Sequence, residues 1–174
     1  HKEFSKIDGS FDSPVDVKIE DQVMCPAFAS RYIKSVKNCE SPDWLKSKLK
    51  SIGLRPISAL VDITNYVMYD QNRPLHVYDA DKINKNIIVR SAKDKETLKA
   101  LDEKEYALSK GMCVIADDVS PLGLGGIMGG ESTGCSENTT NVLLESALFD
   151  PINTAKTGRK LSILSDARYR FERG

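Results

Sequence analysis

Between residues 87 and 148 the apolar residues come in short runs separated by polar turns, and no helical period interrupts them. This pattern constrains the fold most. Ile87 to Val89, Thr97 to Leu101, Met112 to Ala116 and Val142 to Leu144 read as strands. Upstream, Val15, Val17 and Ile19 alternate with Asp16, Lys18 and Glu20, the mark of a half-buried strand, and a second strand follows around Ala27 to Val36.

Helical signals flank the strand-rich stretch. Ser41-Pro42-Asp43 supplies a hydroxyl N-cap, a proline at the first helical position and an early acid. Leu45, Leu49 and Ile52 would form that helix's buried stripe, and Gly53 would end it. From Ser58 to Met68, Leu60, Val61, Thr64, Val67 and Met68 share one face at helical spacing, until Gln71 to Pro74 breaks the pattern. Asp150-Pro151 opens a third helix running to about Leu161, and Ser165 caps a fourth. The order strand, helix, many strands, helix predicts an α+β fold rather than alternating βαβ units. Antiparallel-rich sheets packed with helices at both ends of the chain, in a single domain, are expected. Residues 1–14 are polar and read as a flexible N-terminal segment, with the folded domain spanning 15–174.

Composition narrows the function. The chain has 174 residues, enough for a core without staples. No apolar run approaches the roughly 18 residues of a membrane span, so no membrane partner is expected. Lys and Arg number 25 against 25 Asp and Glu, which argues against a surface that grips nucleic acid all over. The local exception is Pro151 to Gly174, where six Lys/Arg face two acids; a solvated helix face or a phosphate contact would both explain it. Cys25, Cys39, Cys113 and Cys135 contain no C-x-x-C spacing and have no nearby histidine. Zinc is not indicated, and reduced thiols in a cytoplasmic protein are the plain reading. A start at His1 and a stop straight after the charged run ending at Arg173 suggest a domain excised from a longer polypeptide.

Two motifs fail on chemistry. Gly130-Glu131-Ser132-Thr133-Gly134 spells a nucleophile elbow, but that chemistry needs a histidine after the serine. The chain's two histidines, His1 and His76, both precede it. A surface turn is expected there. Gly123-Leu124-Gly125-Gly126-Ile127-Met128 resembles a dinucleotide fingerprint with Met128 in place of its third glycine, and a phosphate loop would lack its lysine. The glycines at 123, 125, 126, 129 and 130 leave two readings: a crowded strand crossing, or a wall where a ligand lies against backbone.

Three polar positions stand out. His76, in Arg73-Pro74-Leu75-His76-Val77-Tyr78-Asp79, is either a satisfied structural residue or part of a site shared with Thr64 and Asn65. Glu145 interrupts the apolar strand Val142 to Leu148, and strand alternation puts it on the side of Leu143 and Ala147. A half-buried carboxylate there needs either an arginine or a ligand.

Read in order, several blocks resemble one family. Ser41-Pro42-Asp43-Trp44-Leu45, Gly53-Leu54-Arg55-Pro56-Ile57, Val61 to Met68 and Pro74-Leu75-His76 come first. Gly125 to Gly130, Leu144-Glu145-Ser146-Ala147 and Ser165-Asp166-Ala167-Arg168 through Gly174 follow. Together they resemble the central editing domain of bacterial phenylalanyl-tRNA synthetase beta subunits. The resemblance implies hydrolysis of mischarged tyrosyl-tRNA by water, without a metal or a protein nucleophile. His76, Asn65, Thr64 and Arg55 would then hold the ester end and the water. Glu145 would recognise the tyrosine phenol, Gly129 would form the glycine wall, and Ser165 and Ala167 would leave room for the side chain. The implied partners are the 3′ end of tRNA(Phe) carrying tyrosine, the rest of the beta subunit, and an alpha subunit in a heterotetramer. ATP and Mg would serve only the whole synthetase, and this domain would need no cofactor. The alternative is a structural, RNA-contacting module in which editing has decayed. Asn72-Arg73 stand where the family usually has glycine-glutamine, and asparagine tolerates a left-handed turn. Arg73 adds a charge beside the implied pocket. Ser165 stands where a threonine is more usual and keeps its hydroxyl.

Overall fold

The computed structural model describes residues 5–173; His1 to Phe4 of the N-terminal segment, and Gly174, lie outside the described residues. Among the described residues, ten strands and four α-helices form an α+β fold. The strands are β1 (Val17–Ile19), β2 (Ala27–Ile33), β3 (His76–Asp79), β4 (Ile87–Ser91), β5 (Thr97–Lys99), β6 (Glu105–Ala107), β7 (Cys113–Ala116), β8 (Pro121–Leu124), β9 (Met128–Gly129) and β10 (Val142–Leu148). The helices are α1 (Asp43–Ser51), α2 (Ala59–Gln71), α3 (Pro151–Lys160) and α4 (Asp166–Phe171). A five-stranded sheet runs β1-β4-β7-β8-β9, a three-stranded sheet β2-β10-β3, and a small ribbon joins β5 to β6. Only β1 and β4 pair in parallel; the other strand pairings are antiparallel.

Side-chain alternation splits the core into two. Cys113 and Ile115 of β7, with Ile87, Val89 and Leu122, pack against Tyr78, Leu143 and Ala147 of the three-stranded sheet. Val114 of the same strand turns to the opposite layer, with Leu98, Leu108, Leu124 and Ile163. Residues one apart on a strand face opposite ways, so burial on both faces produces the continuous apolar run seen at Cys113–Ala116.

Local chemistry sets the helix ends, with some departures from expectation. Ser41 does not cap α1: its hydroxyl donates to Asp62 Oδ2 at 2.5 Å, while extended Pro42 occupies the cap position. Asp62, fully buried on α2, also accepts the Ile57 amide at 2.9 Å, so the most buried residue of that helix is a carboxylate that lies off the expected apolar face. On the expected face Thr64 and Met68 are buried, and Leu60, Val61 and Val67 are half-buried. Ile52 falls outside the buried stripe, exposed at the C-cap of α1, and Gly53 follows at φ +83°. Helix α2 runs three residues beyond Met68 and ends at Asn72 in the left-handed conformation that asparagine tolerates. Asp150 and Ser165 cap α3 and α4 by accepting the amides of Asn153 and Arg168, as the sequence predicts.

The expected strands are present with shifted ends. Strand β2 stops at Ile33, before Ser35 at φ +57°, and β10 continues to Leu148 instead of ending at Leu144. Strands β3, β6, β8 and β9 carry no distinct apolar run of their own and emerge from pairing. Ser132 lies exposed in a turn. Cys25 and Cys113 are buried free thiols, Cys135 is half-buried and Cys39 exposed.

Helices α3 and α4 meet through Gly158, which is buried against the Arg168 side chain. Alanine is the better helix former by about 1 kcal/mol, so propensity and packing give opposite signs here. A Cβ at Gly158 would collide with Arg168 Cδ and Nε. Arg168 cannot yield freely, because its guanidinium donates to the Ile163 carbonyl and to Glu172. Gly158→Ala is therefore expected to destabilise the fold by about 1–3 kcal/mol, measured by urea unfolding. An unchanged or raised midpoint would show that Arg168 moves aside.

Candidate active site

A cavity of about 290 Å³ opens where the edge of the five-stranded sheet approaches the three-stranded one. That is near the lower end of the roughly 300–1,000 Å³ typical of small-molecule sites. Its walls come from five directions. His76 and Tyr78 project from β3 and Glu145 from β10; Gly123, Leu124, Met128 and Gly129 belong to β8 and β9; Thr64, Asn65 and Met68 come from α2; Asp166, Ala167 and Phe171 come from α4.

Strand register brings the polar groups together. Glu145 pairs with His76, and Leu143 with Tyr78, across the antiparallel β10–β3 ladder. Directly paired residues share a face, and so do residues two apart, which places His76, Tyr78 and Glu145 side by side. Glu145 is buried on the side of Leu143 and Ala147, as alternation predicts. Its protein partner is not an arginine. The Tyr78 hydroxyl donates to Glu145 Oε2, deep in the core.

Burial dominates the electrostatics. Loss of solvent pushes the Glu145 carboxyl up to about 7, partly opposed by the Tyr78 hydrogen bond. The same burial holds the His76 imidazole down at about 4, so the ring is neutral at physiological pH. Tyr78 is pushed well above the ordinary tyrosine range by burial and by the Glu145 charge, and it remains a phenol donor. His76 meets the Tyr78 ring edge-on with centroids 4.4 Å apart. It is partly exposed, and it lines the cavity.

The glycine run serves both purposes left open by the sequence. Gly125 and Gly130 answer to crowding: a Cβ at Gly125 would lie 2.8 Å from Cys113 Sγ and from the Phe149 ring, and one at Gly130 would press on the Leu122 carbonyl. Gly129 answers to the site. A side chain there would occupy the space of the His76 imidazole. Gly123, Gly126 and Gly129 all contribute wall to the cavity.

Of the eight site residues named from the sequence, six line the cavity: His76, Asn65, Thr64, Glu145, Gly129 and Ala167. Thr64 donates its hydroxyl to the Val61 carbonyl, within its own helix. Arg55 and Ser165 are not in the lining. Arg55 is exposed in the segment before α2. Ser165 spends its hydroxyl on structure, donating to the Ile127 carbonyl at 2.6 Å and accepting the Arg168 amide, and so it fixes Ala167 at the wall. Arg73 also lies outside the lining, and it donates to the Ala147 carbonyl at 3.4 Å. Tyr78, Met68, Phe149 and Asp166 are lining residues that sequence reasoning missed. For Tyr78 a signal existed, since it stands two residues after His76 and shares its face on any strand.

Residues 24–174 match the B3/4 domain. The chain is 60% identical over 168 residues to the phenylalanine–tRNA ligase beta subunit of Rhodopseudomonas palustris, covering 97% of this chain and 21% of that protein. The beta subunit of Mesorhizobium japonicum is 59% identical over 169 residues with the same coverage, and that of Ruegeria pomeroyi 56% over 173, covering 98% of this chain and 22% of that protein. The chain thus spans about a fifth of these relatives' length. Its fold is similar to an N-terminal fragment of the phenylalanyl-tRNA synthetase beta subunit from Pyrococcus horikoshii, with a TM-score of 0.56 and 15% identity, covering 78% of this chain and 43% of that one. The match across nearly all the strands and helices that build the cavity makes this chain a member of the B3/4 domain family, in the form carried by phenylalanine–tRNA ligase beta subunits.

Proposed function

We propose that this chain is the editing domain of a phenylalanine–tRNA ligase beta subunit, hydrolysing the ester of tyrosyl-tRNA(Phe). The observation that carries the reading is Glu145, a buried carboxylate set into the wall of the cavity. A pocket shaped for phenylalanine rejects an analogue that merely adds a hydroxyl by only about 10²-fold. A second pocket with a buried acceptor reverses the preference, because phenylalanine would leave the carboxylate unpaired. An ionised carboxylate only accepts hydrogen bonds, which suits a phenol O–H.

In this reading the tyrosyl side chain enters along Gly129 and Ala167 and donates its phenol proton to Glu145. Asn65 and Thr64 of α2 and His76 of β3 line the same cavity, and they hold the ester and its attacking water. Water oxygen adds to the ester carbonyl carbon, the bond to the ribose oxygen breaks, and the ribose oxygen takes up the proton. Tyrosine and uncharged tRNA leave. A histidine held near pKa 4 is too weak a base to drive this step at neutral pH. Its role is to orient the water as a neutral hydrogen-bonding group. No metal and no protein nucleophile enters the scheme. The tRNA body, the alpha subunit of a heterotetramer, and the ATP and Mg of aminoacylation belong to the whole cytoplasmic ligase.

The basic stretch after Pro151 weakly supports a purely RNA-contacting role. Arg168 and Arg173 pair with Glu172, while Arg170 pairs with Asp166 and lies over Tyr69. Three of its six cations thus have acidic partners within the domain, and Lys160 donates to the Ser109 hydroxyl.

Deacylation of tyrosyl-tRNA(Phe) by the full ligase tests the reading. Glu145→Ala and His76→Ala are each expected to lower kcat/KM by roughly tenfold to a hundredfold, the worth of one hydrogen bond to a charged or positioned group. Undiminished deacylation in both variants removes the assignment, and unaltered tRNA binding alone would leave the RNA-contacting role.

The pH dependence has a definite sign. Glu145 accepts a phenol proton only when ionised, and burial has raised its pKa to about 7. Turnover corrected for spontaneous ester hydrolysis is therefore expected to rise as pH climbs through about 7. His76 is already neutral above about pH 5 and adds no inflection there. The rise is expected to vanish in Glu145→Gln, and its persistence would assign the titration to another group.

A further inference from the structure

We propose that Tyr78 is a second specificity-determining residue of this pocket, acting by holding Glu145 so that one carboxylate oxygen is left to receive the substrate's phenol. The inference rests on the editing reading above and extends it to a residue that makes the acceptor selective.

Geometry carries it. Tyr78 is 1% exposed and Glu145 6% exposed, and both line the cavity. The Tyr78 hydroxyl donates to Oε2 specifically. A carboxylate offers about four acceptor sites over two oxygens, and one neutral donor leaves most of that capacity unused. Burying it this way is costly unless a further donor arrives, and a ligand hydroxyl is such a donor. Cys25 and Cys113, buried in the surrounding core, have thiols that burial pushes upward, so neither supplies a competing charge.

Tyr78 is also rigid. Leu143 faces it across the β10–β3 ladder, and His76 packs edge-on against its ring at 4.4 Å between centroids. A free glutamate can swing about its side-chain torsions and present either oxygen in many directions. A glutamate fixed by a donor that cannot itself move presents one oxygen in one direction. Discrimination between tyrosine and phenylalanine depends on that fixed acceptor, since a mobile carboxylate can turn toward solvent and tolerate an apolar ring. Tyr78 is thus a positioning residue, with no contact to the ester required of it.

The test is a double-mutant cycle in the full ligase, reading kcat/KM for deacylation of tyrosyl-tRNA(Phe) against phenylalanyl-tRNA(Phe). Tyr78→Phe keeps the ring and removes the donor. It is expected to lower the tyrosine preference about tenfold, mostly through KM for the tyrosyl substrate, in line with one hydrogen bond to a charged group. In a Glu145→Gln background the same substitution is expected to add nothing, because its effect runs through the carboxylate. A preference intact in Tyr78→Phe, or equal losses in both backgrounds, overturns the inference. If Glu145→Gln itself leaves the tyrosine preference intact, the editing pocket falls as well, so the two failures are distinguishable. Thermal unfolding of each variant accompanies the kinetics. Should Tyr78→Phe lower the folded fraction, the preference is still read, because the ratio of the two kcat/KM values is independent of the concentration of folded enzyme.

Discussion

The register between β10 and β3 is the constraint on which the site depends. Because side chains alternate along a strand, Glu145 faces the cavity only while it stands opposite His76. A slip of one residue would turn Glu145 outward and send Leu144 and Ser146 into the core. Strand β10 is the central strand of its sheet, paired along its whole length with β2, and Leu143 and Ala147 on the same face are buried. Apolar burial at those two positions therefore pins the carboxylate where it is least comfortable. The cost of desolvating it appears as the raised Glu145 pKa, which the Tyr78 hydroxyl only partly relieves.

The second requirement is close approach. Strand β9 can lie against the His76 imidazole only because residue 129 has no side chain, and the tight β8–β9 turn needs Gly126 at φ +70°. Helix α4 closes the opposite wall by its cap. Ser165 ties the helix start to the Ile127 carbonyl, and Arg168 holds its other side against Gly158 of α3. Ser165 thus shapes the wall from behind through its hydrogen bonds to Ile127 and Arg168.

Much of this was legible in the residues. Period-two alternation located β1 and set the face of Glu145, because one buried face imposes that period, while short continuous apolar runs located β4 and β7. Cap chemistry located the starts of α3 and α4. The same reasoning failed at Ser41, where a hydroxyl suited to capping is taken by Asp62 from another helix. It failed at Ile52, since a helix's last apolar residue is buried only if a neighbour covers it. Strands β6, β8 and β9 escaped because two- to four-residue strands with glycine or charge draw their stability from the partner strand rather than from a pattern of their own.

The sequence by itself determined the α+β order of elements, the family, and a short set of polar residues whose presence apolar burial does not explain. Spacing along the chain encodes such facts, because helices and strands impose their periods locally. The tertiary structure alone decided which of those residues meet. It placed His76 beside Glu145 across 69 positions of chain, set Gly129 against the imidazole, and brought in Tyr78 as the carboxylate's partner. Those are pairings between strands distant in sequence, fixed by the cooperative burial of two sheets against each other, and no local period carries that information.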